Sequence, residues 1–249
     1  MLYEEDMSVL SKVRRFIRNI TEVIPGVFQV THRGANVLII LEEKITIIDT
    51  GLREGAGTVL DFITRAGRSH DDVGLIVMTH NHIDHMGGLH EIRKHTSNAV
   101  VAIHRDDIGE REHPPSADAR YKEPLAEVRT KLRSMFSVLS EDVDMVLEGG
   151  ETLDCLGGLE VIHTPGHTWG SISLYARQHK MMITGDLIRK HRKMLYLPPK
   201  MVSASLEDNL ESVKIVAGYD IETICFGHGL PLYDDIQPRL QALLERGLE

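Results

Sequence analysis

Four side chains that can bind a metal ion fall within six residues, in the segment His80-Asn81-His82-Ile83-Asp84-His85. Imidazole nitrogens and carboxylate oxygens are ligands that suit zinc, iron and manganese in proteins. His80 and His82 stand two apart on an extended segment, so their side chains point the same way and can reach one ion. Asp84 and His85 follow where the chain begins to turn, so they can aim at a second ion. The segment therefore predicts a metal centre.

The elements that must position this cluster are strands. An apolar run of strand length, Val73–Thr79, leads into it, and a glycine-containing turn and a helical pattern follow. Ligands at the end of a buried strand are held by a rigid scaffold. Three other strand-like segments also end in a polar residue that can bind a metal ion: His167, Asp186 and His228. Four such ends together favour one shared site over four unrelated loops.

The rest of the chain predicts one compact α+β domain over residues 1–249. A helical pattern covers residues 1–20. The proline-rich residues 105–142 interrupt the succession of strands and are predicted to form an inserted helical lid. Runs of strands with helices before, between and after them favour two sheets packed face to face and covered by helices. Cys155 and Cys225 each lie in or beside an apolar run, which predicts buried thiols and no disulfide framework.

Composition limits the partners. The net charge of −9 argues against nucleic acid or an anionic membrane as the main partner. An acidic N-terminus and the lack of a long apolar run predict a cytoplasmic protein. We expect a small-molecule substrate, and a homodimer is left open.

At these residues the chain resembles the metallo-β-lactamase superfamily. The family signature Thr-His-x-His-x-Asp-His-x-Gly-Gly is matched by Thr79-His80-Asn81-His82-Ile83-Asp84-His85-Met86-Gly87-Gly88, and the later His, Asp and His follow in family order. The resemblance covers roughly residues 26 to 230. It implies a four-layer αβ/βα sandwich with two metal ions at one edge of the sheets.

The resemblance also implies which residues bind which ion. His80, His82 and His167 would hold the first, Asp84, His85 and His228 would hold the second, and Asp186 would bridge them. Zinc is the expected metal, with iron or manganese as alternatives. A hydroxide shared by the two ions would attack the substrate, and Asp84 would ligate, orient that nucleophile and take its proton. His90, His95, His104 and His163 are not expected to be ligands.

Departures from known branches narrow the function. True β-lactamases of this fold are exported, and one large group has cysteine where this chain has Asp186. Glyoxalase II carries Gly-His where this chain has Gly170-Ser171, and it has a C-terminal helical domain that binds glutathione. Flavodiiron proteins have Glu at the position of His82, and the ribonuclease branch usually carries a basic arm, whereas this chain is acidic. Single-domain lactonases are similar in layout, but they carry a tyrosine three residues after the bridging aspartate, where this chain has Arg189. Arg189 could pair with a carboxylate or phosphate of the substrate, or could belong to a solvated basic loop.

The favoured hypothesis is a dinuclear metal-dependent hydrolase of a small ester, thioester or lactone. A phosphodiesterase is the nearest variant. An oxidoreductase with one iron, similar to the persulfide dioxygenases, is the main alternative, and a non-catalytic metal-binding role comes third. Residues His113, Arg120 and Tyr121 of the insertion are weaker candidates for lining the cleft.

Overall fold

The computed structural model describes residues 19–109 and 140–248. The first of its two main sheets has seven strands in chain order, antiparallel from β1 to β4 and parallel from β4 to β7. These strands are β1 (Ile20–Ile24), β2 (Val27–His32), β3 (Ala35–Leu41), β4 (Ile45–Ile48), β5 (Val73–Val77), β6 (Val100–His104) and β7 (Met145–Leu147).

The second sheet has five strands in the order β14-β11-β10-β9-β8, of which only β11 and β14 run parallel. A separate hairpin pairs β12 with β13. These strands are β8 (Thr152–Leu153), β9 (Leu159–His163), β10 (Ile172–Ala176), β11 (Met181–Ile183), β12 (Arg189–His191), β13 (Met194–Tyr196) and β14 (Thr223–Cys225).

Helices cover the outer faces of both sheets. Two of them, α1 (Ala56–Arg65) and α3 (Leu89–Arg93), follow strands of the first sheet, and the short α2 (Ile83–Met86) carries part of the predicted cluster. The other two, α4 (Leu206–Ala217) and α5 (Ile236–Arg246), belong to the second half of the chain. The Ser205 side chain caps α4 by accepting from the backbone N–H of Asp208, as the sequence pattern predicts.

Three buried apolar layers stabilise the sandwich: one between the two sheets and one on the outer side of each sheet, beneath its helices. Each sheet contributes to two layers because neighbouring residues of a strand face opposite sides of the sheet. In β3, Ile39 packs toward α1, while Leu38 and Ile40 pack between the two sheets. In β11, Met182 faces α4 and α5, while Met181 and Ile183 face the first sheet. Both cysteines are buried free thiols. The expected α+β sandwich is confirmed.

Some local predictions need correction. The helical pattern includes Ile20, but this residue begins β1, where it packs in the layer beneath α1. Residues 1–18 of the predicted helix and residues 110–139 of the predicted insertion lie outside the described residues. The basic run that starts at Arg189 is not a loop, because its first three residues form β12 and pair with β13. The single domain stays a prediction. In the described part of the chain, no helix is long and apolar enough to cross a membrane.

Candidate metal centre

The predicted ligands meet at one edge of the sandwich because the strands that carry them end there. Parallel strands bring their carboxyl ends to the same edge of a sheet, so Asp186 after β11 lies beside His228 after β14. The two sheets are joined at this edge, since the Ile172 N–H, at the start of β10, donates to the Thr79 carbonyl (2.9 Å), just after β5. The edge therefore collects ligands from both sheets.

Six of the seven predicted ligands form two groups of three whose ligand atoms lie close together. His80, His82 and His167 form one group, and Asp84, His85 and His228 form the other, with the ligand atoms of each group within 4.8 Å of one another. In the first group, His82 Nδ1 lies 2.8 Å from His167 Nε2. In the second, His228 Nε2 lies 3.3 Å from Asp84 Oδ2 and 3.4 Å from His85 Nε2. The grouping is the one that the family resemblance implies.

Asp186 lies between the two groups. Its Oδ1 is 3.5 Å from His85 Nε2, whereas its Oδ2 is 3.5 Å from His167 Nε2 and 3.2 Å from His228 Nε2. The carboxylate therefore contacts members of both groups. Gly227 is required beside it, because a Cβ at that position would overlap the Asp186 carboxylate and the His85 ring.

For three of the five histidines of the cluster, the outer nitrogen has a partner that points the inner nitrogen into the cluster. His85 Nδ1–H donates to Asp49 Oδ2 (2.8 Å), and His228 Nδ1–H donates to the Gly34 carbonyl (2.9 Å). His80 Nδ1 lies 3.0 Å from the Thr79 hydroxyl, which itself donates to Asp49. Such outer partners set the tautomer of a metal-binding histidine and leave the other nitrogen with a free lone pair.

His80 gives the direct test of whether a metal ion fits. Its Nε2 is buried and, within residues 19–109 and 140–248, has no hydrogen-bond partner. A buried nitrogen without a partner is costly, and a cation at the centre of the group would remove that cost. Burial, with the nearby imidazoles as a smaller cause, holds the His80 pKa well below its ordinary value, so the ring stays neutral and can bind a metal ion. The donor set therefore fits divalent metal ions.

The carboxylates of the cluster are ionised. Burial raises the pKa of Asp84, but the hydrogen bond from His228 and the positive field of His85 outweigh it and lower the pKa to about 2. The pKa of Asp186 is lowered in the same way, because His85 and His228 overcome the effect of burial. Those two carboxylates in turn raise the pKa of His228 to about 11. A bound cation would take the place of the protons that His85 and His228 carry beside these carboxylates, so metal binding there competes with protonation.

Asp49 and Asp107 are two residues whose positioning role the sequence analysis missed. Asp49 accepts from the Thr79 N–H (2.7 Å) as well as from Thr79 Oγ1 and His85, so one buried carboxylate orients both ends of the signature segment. Its place directly after β4 follows the same rule that located the ligands, namely that polar residues at strand ends mark this site. That rule, extended to β4, would have found Asp49.

Asp107 ties together the two loops that carry the first group. It accepts from the Asn81 N–H (2.9 Å), between His80 and His82, and from Thr168 Oγ1 (2.6 Å) and the Gly170 N–H (2.8 Å), just beyond His167. It is 2% exposed. Gly170 cannot carry a side chain, because its Cβ would lie 2.6 Å from the Asp107 backbone nitrogen. Asp107 follows β6, but the sequence pattern places it in the insertion, which hides its role.

His104 and His163 lie apart from the cluster. Their rings stack at 4.0 Å and 13°, and their Nε2 atoms contact the carbonyls of Glu148 and Trp169. With Asp106 they form a further group whose ligand atoms lie within 4.8 Å of one another. Stacked rings direct their nitrogen lone pairs in parallel, so they do not converge on one ion. That neither histidine is a ligand stays a prediction.

A cavity of about 700 Å³ opens over the cluster. We call His80, His85, His167 and Asp186 the floor of the site, and Ile83, Arg189, Met201 and Val202 its rim. The rim residues, Asp84, His167 and Asp186 all line the cavity. Arg189 is exposed at the start of β12, where its Nε donates to the Leu197 carbonyl (3.0 Å) and its guanidinium lies 5.7 Å from the Tyr196 ring centre. His113, Arg120 and Tyr121 lie outside the described residues.

Comparison with known proteins identifies the family. The family model of the metallo-β-lactamase superfamily matches residues 30–228. A probable metallo-hydrolase of Bacillus subtilis, YflN, is 29% identical over 233 residues, which cover 85% of this chain and 86% of that protein. The acyl-coenzyme A thioesterase MBLAC2 of Gallus gallus is 28% identical over 229 residues, covering 82% and 77% of the two chains.

Solved structures agree on the fold. The metallo-β-lactamase family protein TTHA1429 of Thermus thermophilus superposes with a TM-score of 0.69 at 23% identity, covering 90% of this chain and 80% of that one. The expectation of a metal-dependent hydrolase is confirmed. Because the family model spans most of the chain, including every predicted metal ligand, the chain belongs to the metallo-β-lactamase superfamily.

Proposed function

We propose that this metal-dependent hydrolase holds two divalent ions, with zinc favoured, and cleaves a small ester, thioester or lactone. The observation that carries the proposal is the position of Asp186, whose two oxygens contact both groups of three ligands. His80, His82 and His167 would hold one ion, Asp84, His85 and His228 the other, and Asp186 would bridge them. When bound, such a pair of ions lowers the pKa of water and stabilises negative charge on a substrate oxygen.

The protein side chains would position and deprotonate the attacking water. Asp84 lines the cavity with its side chain 35% exposed, so a water molecule in the cavity can reach its carboxylate. An ionised carboxylate in that place can orient a water molecule and accept its proton. His80, His85 and His167 are buried, which strengthens the electrostatic contacts that they make.

Thioesters are supported as a substrate class by the similarity to a relative that is named an acyl-coenzyme A thioesterase. Phosphodiester hydrolysis and a reaction with one iron, as in persulfide dioxygenases, are the alternatives. Arg189, at the rim, is the residue that would favour an anionic substrate. A cytoplasmic location, a homodimer and the absence of nucleic-acid and membrane partners remain predictions.

Metal content and activity together test the proposal. The chain, loaded in turn with zinc, manganese and iron, is assayed for bound metal per chain and for turnover of esters, thioesters, lactones and phosphodiesters. We expect two ions per chain and ester or thioester hydrolysis that EDTA abolishes. One iron per chain with consumption of oxygen would overturn the proposal in favour of the dioxygenase, and turnover of phosphodiesters alone would favour the phosphodiesterase.

A matched pair of histidine variants checks the site. His82→Ala should remove metal and activity together, because it deletes one predicted ligand of the first group. His90→Ala is the control, since His90 is exposed on the neighbouring α3 and belongs to neither group. Full metal content in His82→Ala would contradict the proposed ligand set.

A further inference from the structure

Apolar side chains that are left uncovered line the cavity above the cluster. Met201 is 76% exposed, Ile83 is 43% exposed and Val202 is 39% exposed, and all three line the cavity together with the predicted ligands. Exposed apolar side chains scattered singly over a surface need no explanation, but several gathered in one concave site indicate a binding surface.

Backbone connections fix these side chains next to the reacting centre. Ile83 stands between His82 and Asp84, at the first position of α2. The segment that follows Val202 is bonded to the His167 loop, because the Ala204 N–H donates to the His167 carbonyl (3.0 Å) and the Ser205 N–H to the Gly166 carbonyl (2.9 Å). A group attached to a carbonyl carbon at the cluster would therefore meet apolar surface that is anchored to both ligand loops.

The two basic side chains Arg189 and Lys190 of the same cavity each donate a hydrogen bond to a backbone carbonyl. Lys190 Nζ donates to the Pro231 carbonyl (2.9 Å), and Arg189 Nε donates to the Leu197 carbonyl (3.0 Å). Pro198 and Pro199, which have no backbone N–H, extend the lining beside Met201. This part of the lining therefore offers apolar contact and few hydrogen-bond donors.

We propose that Ile83, Met201 and Val202 form a subsite for the aliphatic acyl chain of the substrate. The proposal rests on the proposed hydrolase function and makes it more specific: the acyl group carries several carbons, and its carbonyl lies at the cluster. A cavity of about 700 Å³ exceeds what an acetyl group needs. The Met201 side chain is unbranched and exposed, so it can adapt to acyl chains of different length.

A series of acyl chain lengths tests the subsite. Nitrophenyl esters and the matching thioesters, from acetyl to decanoyl, are assayed with the metal-loaded protein. We expect kcat/KM to rise by about threefold per added methylene over the first few carbons, because each one leaves water for apolar surface. If kcat/KM does not change with acyl chain length while the acetyl ester is hydrolysed at a measurable rate, the subsite proposal is wrong and the hydrolase proposal remains.

A pair of methionine variants tests whether the dependence of kcat/KM on acyl chain length arises from the rim. Met201→Gln keeps the length of the side chain but makes it polar, so the ratio of decanoyl to acetyl kcat/KM should fall by about tenfold. Met194→Gln is the control, because Met194 is 42% exposed and lies on β13 outside the cavity lining. An equal fall in both variants, or in neither, would contradict the proposal.

A binding measurement separates failure of the subsite from failure of the hydrolase function. In protein labelled with ¹³C at the methionine methyl groups, the Met201 signal is identified by its loss in Met201→Gln. Octanoate should shift that signal, whereas acetate at equal concentration should not. If no ester is hydrolysed but octanoate still shifts the signal, the hydrolase proposal fails and the subsite stands. If octanoate leaves the Met201 signal unshifted, the subsite proposal is wrong.

Discussion

The floor and the rim of the cavity differ in how firmly the protein holds them. His80, His85 and His167 are at most 1% exposed, and their loops are bonded to Asp49, Thr79 and Asp107. Met201 is 76% exposed and lies in a three-residue helical turn, while Arg189 belongs to a hairpin outside both main sheets. The predicted metal ligands thus belong to the sandwich itself, and the groups expected to select the substrate belong to parts added at its edge.

This difference has consequences for substitutions. A change at the floor leaves a buried group without its partner, which costs more than the loss of an exposed contact. A change at the rim should alter which substrate is accepted and leave metal binding intact. The effects of substitutions in the floor and in the rim should therefore be distinguished by measuring metal affinity, turnover and KM for the same variants.

Asp84→Asn should have the largest effect on turnover. An amide oxygen can still bind a metal ion, but it cannot accept a proton from the attacking water. We expect kcat to fall by about 100-fold or more while metal content falls by much less. Steady-state kinetics with metal analysis of the same samples measures both. Equal losses would show that Asp84 serves only as a ligand.

Asp107→Ala tests whether the floor depends on the bonds between its loops. Loss of this acceptor frees the Asn81 and Gly170 N–H groups, so affinity for zinc should fall by about 10- to 100-fold. Competition with a chromophoric chelator measures the affinity. Asp144→Ala is the control, because Asp144 accepts from the Val101 N–H near the opposite end of β6. A similar fall in the control would indicate general loosening of the sheet.

The titration of Asp107 gives a smaller effect, on stability. Burial raises its pKa from 3.8 to about 6, although Thr168, Gly170 and Asn81 donate to it and act in the opposite direction. The raised pKa means that the folded protein favours the protonated acid, so the free energy of unfolding falls as the pH rises from about 4 to about 6 and is level above that. Asp107→Asn cannot ionise at this position. The metal-free wild type should therefore lose about 2 kcal/mol relative to the variant across that interval.

Urea unfolding of both metal-free proteins at several pH values measures this difference. The comparison is made between wild type and variant because the histidines of the cluster titrate in both and largely cancel. A difference that stays constant with pH would contradict the raised pKa of Asp107.

Arg189→Ala should have the smallest effect and should be confined to the rim. The guanidinium carries further N–H groups besides the Nε–H that donates to Leu197, and these can pair with an anionic substrate. The KM for carboxylate- or phosphate-bearing esters should therefore rise several-fold more than the KM for neutral esters. Metal content should not change. If the KM values of anionic and neutral esters change alike in Arg189→Ala, Arg189 does not determine specificity. Its role is then structural, through the hydrogen bond to the Leu197 carbonyl.

The sequence predicts the floor better than the rim for a physical reason. Alternating apolar residues define strands, and a polar residue directly after a buried strand has few roles other than binding, so His80, His167 and Asp186 can be located from one chain. The structure brings the side chains of all seven predicted ligands together at one edge of the sandwich, and that they bind metal ions stays a prediction.

The rim is harder to predict because its elements have only three or four residues each, too few to show a repeating apolar pattern. β12 and β13 have three residues each and no apolar periodicity, so the Arg189 segment has the sequence pattern of a loop. Asp107 escapes prediction because its role depends on contacts with Asn81 and Gly170, which are 26 and 63 residues away along the chain. Contacts between such distant residues leave no periodic signal in a single sequence.

The order in which the ligands occur along the chain bears on how the site is assembled during synthesis. His80 to His85 emerge with the first sheet, but Asp186 and His228 follow only when the last two strands of the second sheet have been made. His228 also pairs with Ala35 by a β-bridge, so the end of the second sheet must dock on the first before the ligand set is complete. A nascent chain that stops short of β14 can hold a metal ion only with part of the set. Tight binding of metal by the full ligand set would therefore require that both halves have joined.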